Sequence, residues 1–404
     1  MKGKSKQSKT ILVGILTPAL ALLLAFCVLC IATMELYSPT YLSRVLFHPD
    51  SSVSDCDFFP ERSISKSDRP YTYEKRIDPS LENLLVDFSN KRETLSEFVK
   101  KTDTTSFLIV KDDVLVYEQY ANGYGENSVN TSFSMAKSVV SLLIGKAVED
   151  GWIESIHQPL SDFIGEWEGL PIGKITIEEL LLMRSEIVYN EDKFLWFGDD
   201  SLTYWHPNLR ELSLTHTNLT DEYKEKFHYN NYHPLLLGIV LERSTGMSVS
   251  EYFEKTIWQK IGAKENASWS LDSEEDGFEK MESGLNFRAL DFIKIGSMVL
   301  HGGVWNGERI LSSEWIEQST VCSLPVNDLE YENTFLSGRN IGYKYMWYCT
   351  PSKGGGHDIF AWGKSDQILY ISPSNGLLIL RTGKTDGGVS DWIEIIKGII
   401  KAMN

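Results

Sequence analysis

The stretch Ser134–Glu149 constrains this 404-residue chain most. Ser134-Met135-Ala136-Lys137 opens an apolar run containing Val139, Val140, Leu142, Leu143, Ile144 and Ala147. The pattern predicts a helix from Met135 to about Glu149. A serine at a helix start sits among unpaired backbone N–H groups at the positive end of the dipole. That position suits a nucleophile whose attack builds an oxyanion. Lys137, three residues on, shares the helix face one turn later. Burial there would strip its ammonium of solvent and favour taking the hydroxyl proton. The pattern is also common by chance, and the plainer reading is an N-cap serine followed by a solvated lysine.

Composition narrows the rest. Apolar residues make up 42% and aromatics 12%, which predicts a substantial core and argues against general disorder. A net charge of −17 argues against nucleic-acid binding, which needs a basic stripe. The acidic stretch Ser273–Asp276 reads as a solvated loop. Cys27 and Cys30 lie in an apolar run, so Cys56, Cys322 and Cys349 can supply at most one bridge. Wide spacing and the lack of paired Cys/His motifs speak against a metal site.

Residues 1–10 read as a basic cytoplasmic segment, with Lys2, Lys4, Lys6 and Lys9. Ile11–Ala32 is an uncharged run of bilayer length, so 11–32 is expected to be a transmembrane anchor. The lysines before it place the N-terminus inside and the remainder outside, periplasmic or extracellular. A cleaved signal peptide is the competing reading. Residues 33–80 are proline-punctuated and read as a connector with one short helix near Tyr41–Phe47. Residues 81–404 read as the working domain. Leu81–Lys100 looks helical, and Thr105–Tyr120 reads as a hairpin turning at Lys111-Asp112-Asp113. Helices are expected at Ile175–Met183, Pro234–Ser244, Val249–Ile261, Ala289–Leu300 and Val389–Ala402. Glu191–Leu219 shows no clear period and reads as an aromatic-rich loop, either a substrate-binding wall or a loop pinned by its own aromatics. Gly354–Asp358 looks like a turn before a strand, and Gln367–Ile371 and Leu377–Arg381 read as a closing strand pair.

Three stretches must be read together: Ser134-x-x-Lys137, Tyr229-Asn230-Asn231, and Phe360-Ala361-Trp362-Gly363. In order and spacing the chain resembles the penicillin-recognising serine hydrolases: class C β-lactamases, D-alanyl-D-alanine peptidases and related esterases and amidases. The likeness runs from about residue 80 to the C-terminus. It implies a β-lactamase/transpeptidase-like α/β (α+β) fold, with an antiparallel sheet from both chain ends, flanking helices and an inserted helical subdomain. The chemistry is coherent. A serine hydroxyl needs a base, and Lys137 with the Tyr229 phenol can form a proton relay, either one being the base. The Asn231 amide can hold the lysine and meet a substrate carbonyl. Gly363 lets a strand backbone approach the substrate without a Cβ in the way. The resemblance implies an oxyanion hole from the N–H groups of Ser134 and Lys364. Tyr204 is a further candidate substrate contact. The histidines support no triad; His228 and His233 read as packing or surface residues.

The third motif departs from the best-known members. They carry Lys-Thr-Gly or His-x-Gly, whereas this chain has Ala361-Trp362-Gly363. A methyl group thus replaces the group that helps bind a substrate carboxylate, and Lys364 or Arg381 would have to supply charge. Ala-x-Gly with Gln367 four residues on looks more like the 6-aminohexanoate-dimer hydrolase and esterase branch, from which Asp366 departs by standing where a glycine usually precedes the glutamine. The expectation is a serine hydrolase cleaving a small-molecule ester or amide, or a peptide-like substrate, without metal or organic cofactor. The alternatives are a peptidase or β-lactamase acting on cell-wall-like substrates, and a binding or regulatory protein of the same fold without turnover.

Overall fold

The computed structural model describes the backbone except residues 1–3, 49, 89–90, 192–194, 225, 276, 323–335, 337–338, 353–354 and 404, and side chains from residue 20 onward. Lys2, Asp276 and Gly354 of the stretches above lie outside the described residues.

Eight strands form the main sheet: β1 (Glu74–Lys75), β2 (Thr104–Lys111), β3 (Val114–Tyr120), β4 (Gly342–Lys344), β5 (Trp347–Pro351), β6 (His357–Gly363), β7 (Gln367–Ser372) and β8 (Leu377–Gly383). Their order is β4-β5-β6-β7-β8-β2-β3-β1. The β2–β3 hairpin turns on Asp112 and Asp113, with φ of 49° and 63°, a left-handed conformation that aspartate tolerates better than most residues. β8 then pairs antiparallel with β2, Leu380 opposite Leu108, so both ends of the domain meet in one sheet. β2 and β8 are almost wholly buried, as their continuous apolar runs require.

Helices Met135–Glu149 and Ala289–Leu300 pack against this sheet. The first also packs on helix Tyr232–Thr245, which stops at Gly246 in the left-handed conformation. A second sheet joins Glu61–Ile64, Ala267–Ser270, Leu285–Arg288 and Val129–Thr131, in that order. Cys322 and Cys349 form a disulfide, tying the end of helix Ser313–Thr320 to β5. Cys56 is free.

Several expectations change. Leu81–Lys100 is not one helix: Pro79–Glu82 is a single turn, Leu85–Phe88 pairs with Lys91–Thr94, and a helix restarts at Leu95. The Thr94 side chain accepts from Glu97 N–H, which sets that start. Glu191–Leu219 is largely helical where described, with helices Asp199–Trp205 and Leu209–Thr215. Asn208 caps the second at 2.8 Å from Glu211 N–H. Residues 33–80 do more than connect. Helix Pro39–Phe47 buries Tyr41, Leu42 and Val45, and Glu61–Ile64 enters a sheet.

The expected membrane anchor and the extracytoplasmic location that followed from it are corrected. The N-terminal run is a helix, Lys4–Leu36, but among the described residues no helix is long and apolar enough to cross a membrane. The end of the run packs on the domain instead. Thr33 is buried and accepts a hydrogen bond from the Trp196 indole at 3.0 Å, and the Tyr37 ring lies 5.3 Å from that of Tyr41.

Candidate active site

The Ser134 helix starts from a constrained turn. Thr131 pairs with Asn286 in the second sheet, and Ser132 N–H donates to the Leu285 carbonyl at 2.8 Å. Ser132 Oγ donates to the carbonyls of Phe133 and Ser283. Phe133 is then left at φ 46°, strained for a side chain of its size. This reversal delivers Ser134 to the N-cap position, where its hydroxyl makes no capping bond. Instead Ser134 Oγ accepts from Lys137 Nζ at 2.9 Å, and the same ammonium donates to the Glu282 carbonyl at 2.9 Å. Lys137 is 2% exposed. Its Nζ lies 5.0 Å from the centroid of the Tyr229 ring.

Tyr229 is positioned by its neighbours. His228 N–H donates to the Met183 carbonyl, and buried Asn230 donates to the Ile187 carbonyl while accepting from Tyr232 N–H. Asn231 heads the next helix, and its Nδ2 donates to Tyr189 Oη at 2.7 Å and Thr203 Oγ1 at 3.3 Å. Asn231 lines the same cavity as Lys137, whose own hydrogen bonds go to Ser134 and Glu282.

β6 brings Gly363 to the serine turn. A Cβ there would lie 2.7 Å from the Ser132 carbonyl oxygen and 2.9 Å from the Ser134 nitrogen. Only a glycine allows this approach, and it sets the Lys364 backbone beside Ser134. Lys364 Nζ reaches back to Ser51 Oγ at 2.8 Å. Ser365 and Asp366 follow with φ of 61° and 53°. A glycine would adopt these angles freely; here Trp362 Nε1 holds the Asp366 carboxylate at 2.7 Å. Burial raises the Asp366 carboxyl above its ordinary range. Arg381 does not supply charge to the cleft. It is buried and bonded to the carbonyls of Thr102, Ser365, Asp366 and Thr385, with its guanidinium pushed down to about 10 by burial.

Two cavities meet at Ser134. One, about 730 Å³, is lined by Ser134, Lys137, Tyr229, Asn231, Tyr204, Glu282 and Lys364, with Trp196 and Trp205. The other, about 530 Å³, runs past Trp362, Gly363, Tyr348 and Asp386. Ser134, Tyr229 and Lys364 border both. Each of the seven candidate residues thus lines one or both of these two cavities, Tyr204 among those of the larger. Tyr204 enters it with its hydroxyl bonded to Asp55, and that carboxylate together with burial pushes its phenol well above the ordinary range.

Some neighbours escaped the sequence reading. Phe133 carries no turn-forming residue type that would mark its strain. Glu282 and Lys280, 1% exposed each, form an ion pair at 3.2 Å beside the cavity. Two opposite charges flanking Met281, in Lys280-Met281-Glu282, were their only signal. His233 is a packing residue: buried, bonded to Ser185 Oγ at 2.6 Å, and held neutral by desolvation down to about 3. Among the described residues no cluster of His, Cys, Asp and Glu is placed to hold a metal.

The sheet assembled from both chain ends, its packed helices and the serine turn between them define a β-lactamase-like fold of the penicillin-recognising serine hydrolase superfamily. The chain belongs to the beta-lactamase family, whose model matches residues 92–391, and is a hydrolase of that family. It is 24% identical over 318 residues to the 6-aminohexanoate-dimer hydrolase of Paenarthrobacter ureafaciens, covering 76% of this chain and 79% of that protein. Among solved structures, a Bacillus anthracis protein provisionally named a 6-aminohexanoate-dimer hydrolase superposes with a TM-score of 0.75 at 22% identity, over 87% of this chain and 92% of that one. A penicillin-binding protein from Bacillus halodurans gives 0.58 at 17% identity, over 77% of this chain and 100% of that one.

Proposed function

We propose that this chain hydrolyses a carboxylic ester or amide through an acyl-enzyme on Ser134. The observation that carries the reading is the 2.9 Å hydrogen bond between buried Lys137 Nζ and Ser134 Oγ, at the junction of two cavities. In its unprotonated form Lys137, or a Tyr229 phenolate it stabilises, takes the Ser134 proton as Oγ bonds to the substrate carbonyl carbon. The carbonyl oxygen becomes an oxyanion facing the N–H groups of Ser134 and Lys364, each worth roughly 3 kcal/mol in the transition state. The relay returns the proton to the departing alcohol or amine as the C–O or C–N bond breaks. Water then adds to the acyl carbon, Oγ leaves with a proton, and the acid is released.

The ester or amide preference agrees with Ala361, whose methyl occupies a buried place on β6 where a carboxylate-binding cation would stand. The relative named for hydrolysing the 6-aminohexanoate dimer supports a small linear substrate over a cell-wall peptide. The test is labelling of the full chain with a fluorophosphonate serine probe, read by intact mass, beside turnover of p-nitrophenyl esters. One adduct on the wild type and none on Ser134→Ala, with ester turnover falling at least about 10⁴-fold, is expected. Full activity in Ser134→Ala would remove the serine from the mechanism.

A further inference from the structure

The larger cavity is walled in part by residues outside the family-matched region. Val45, Leu46, Asp50 and Ser51 line it, although the family model begins at residue 92. The same N-terminal segment also fixes walls that come from elsewhere. Thr33 and Tyr41 hold the Trp196 indole and carbonyl. Arg44 donates to the Trp205 carbonyl at 3.0 Å, and Asp55 accepts from the Tyr204 hydroxyl. Ser51 holds Lys364. Residues 33–55 therefore brace the cavity at five points and contribute surface of their own.

That surface has a distinctive chemistry. Leu46 is 36% exposed and Leu195 55% exposed. They come from distant parts of the chain, yet both line the cavity that holds Ser134. Apolar surface left open beside a reactive serine gains by covering itself with an apolar part of the substrate.

We propose that residues 33–55 are the specificity wall of this enzyme, with Leu46 setting the length of an aliphatic arm of the ester or amide. This rests on the reading that Ser134 is acylated. The arm lies in the larger cavity against Leu46 and Leu195, and the scissile carbonyl sits at Ser134. Leu46 belongs to helix Pro39–Phe47, whose position is set by the hydrogen bonds of Tyr41 and Arg44.

The experiment measures kcat/KM on two substrate series: p-nitrophenyl esters from acetate to decanoate, and butyrate esters of alcohols of increasing length. Wild type, Leu46→Trp, Leu46→Ala and Phe47→Trp are compared as full chains. Phe47 is 75% exposed on the same helix and does not border the cavity, so it controls for helix disturbance. In one series Leu46→Trp should lower the long-to-short ratio at least tenfold, Leu46→Ala should raise it, and Phe47→Trp should leave it within twofold. An unchanged ratio in both series, or an equal shift in Phe47→Trp, overturns the proposal. Fluorophosphonate labelling of Ser134 is read in every variant. A wild type that takes no adduct overturns the acyl-enzyme reading and the wall with it. An adduct with unchanged ratios removes the wall alone.

Discussion

Lys137 and Lys280 are both almost wholly buried within the same region, yet their surroundings differ in kind. Lys280 has a carboxylate, Glu282 Oε1 at 3.2 Å, the Tyr204 carbonyl, and the rings of Phe59 and Tyr204 at 4.5 and 4.1 Å. Lys137 donates to a hydroxyl and a carbonyl, and among the described residues no carboxylate pairs with it. Burial pushes the Lys280 ammonium below its ordinary range, while the Glu282 carboxylate works against that shift and ties the lysine to the wall around it. Lys137 instead sets its Nζ against the Ser134 hydroxyl at 2.9 Å, within reach for a proton transfer. The difference separates a lysine that supports the cavity from one suited to the chemistry, though Glu282 touches both, through its carboxylate and its backbone carbonyl respectively.

The largest effect that would break this comparison is on turnover. Lys137→Met should lower kcat/KM on a p-nitrophenyl ester by about 10³-fold, within the range expected for losing a general base. Its thermal midpoint should hold or rise, since a buried polar amine is replaced by an apolar side chain of similar length. Lys280→Met should do the reverse. It strands Glu282 without a countercharge, at a cost of about 3–5 kcal/mol in urea unfolding, while the folded fraction keeps its Ser134 labelling. Equal loss of stability in both variants would erase the distinction. Sharpening it, the double change Lys280→Met with Glu282→Met should recover most of the lost stability.

Next in size is Gly363→Ala. The added methyl meets the Ser132 carbonyl and the Ser134 nitrogen, pushing β6 from the serine turn. A fall in kcat of about 10²-fold with little change in KM is expected, as for loss of one oxyanion donor. The last effect concerns a third buried base and is read in stability against pH, not in turnover. His233 is held neutral to about pH 3 against an ordinary 6.5, so between those values the unfolded chain binds a proton that the folded one does not. Folding stability should therefore fall as pH drops from 6.5 toward 3, by up to about 1.4 kcal/mol per unit. Urea midpoints across that window should show a shallower decline in His233→Gln.

What was legible in the sequence was local or carried by residue order. The Ser134 helix, the hairpin at Asp112-Asp113 and the closing strands each repeat apolar residues at the period of their own element. Resemblance to a known family supplied what periodicity lacked, namely that Tyr229 and Gly363 approach a serine many residues away. The failures have physical causes too. Leu85–Phe88 looked helical because short alternating strands and helical turns share apolar spacings over four residues. Helices Asp199–Trp205 and Leu209–Thr215 were hidden because runs of 7 residues are too short for a helical period to show. Ile11–Ala32 suggested a bilayer on the length of its uncharged run alone, whereas among the described residues no helix is long and apolar enough to cross one. Asn231 was expected to hold Lys137, but the lysine's hydrogen bonds go to the Ser134 hydroxyl and the Glu282 carbonyl, the latter from a distant part of the chain.

By itself, then, the sequence determined which residues are candidates for the chemistry of this hydrolase family and the order in which they occur. Identity and spacing along the chain encode those facts directly. The tertiary structure alone decided how the residues are used. It aimed Lys137 at Ser134, buried Arg381 away from the cleft, and brought Ser51 to Lys364 from 313 residues away. Such contacts depend on the closure of long loops and on competition among many possible partners. Packing resolves that competition, and no local pattern in the chain records its result.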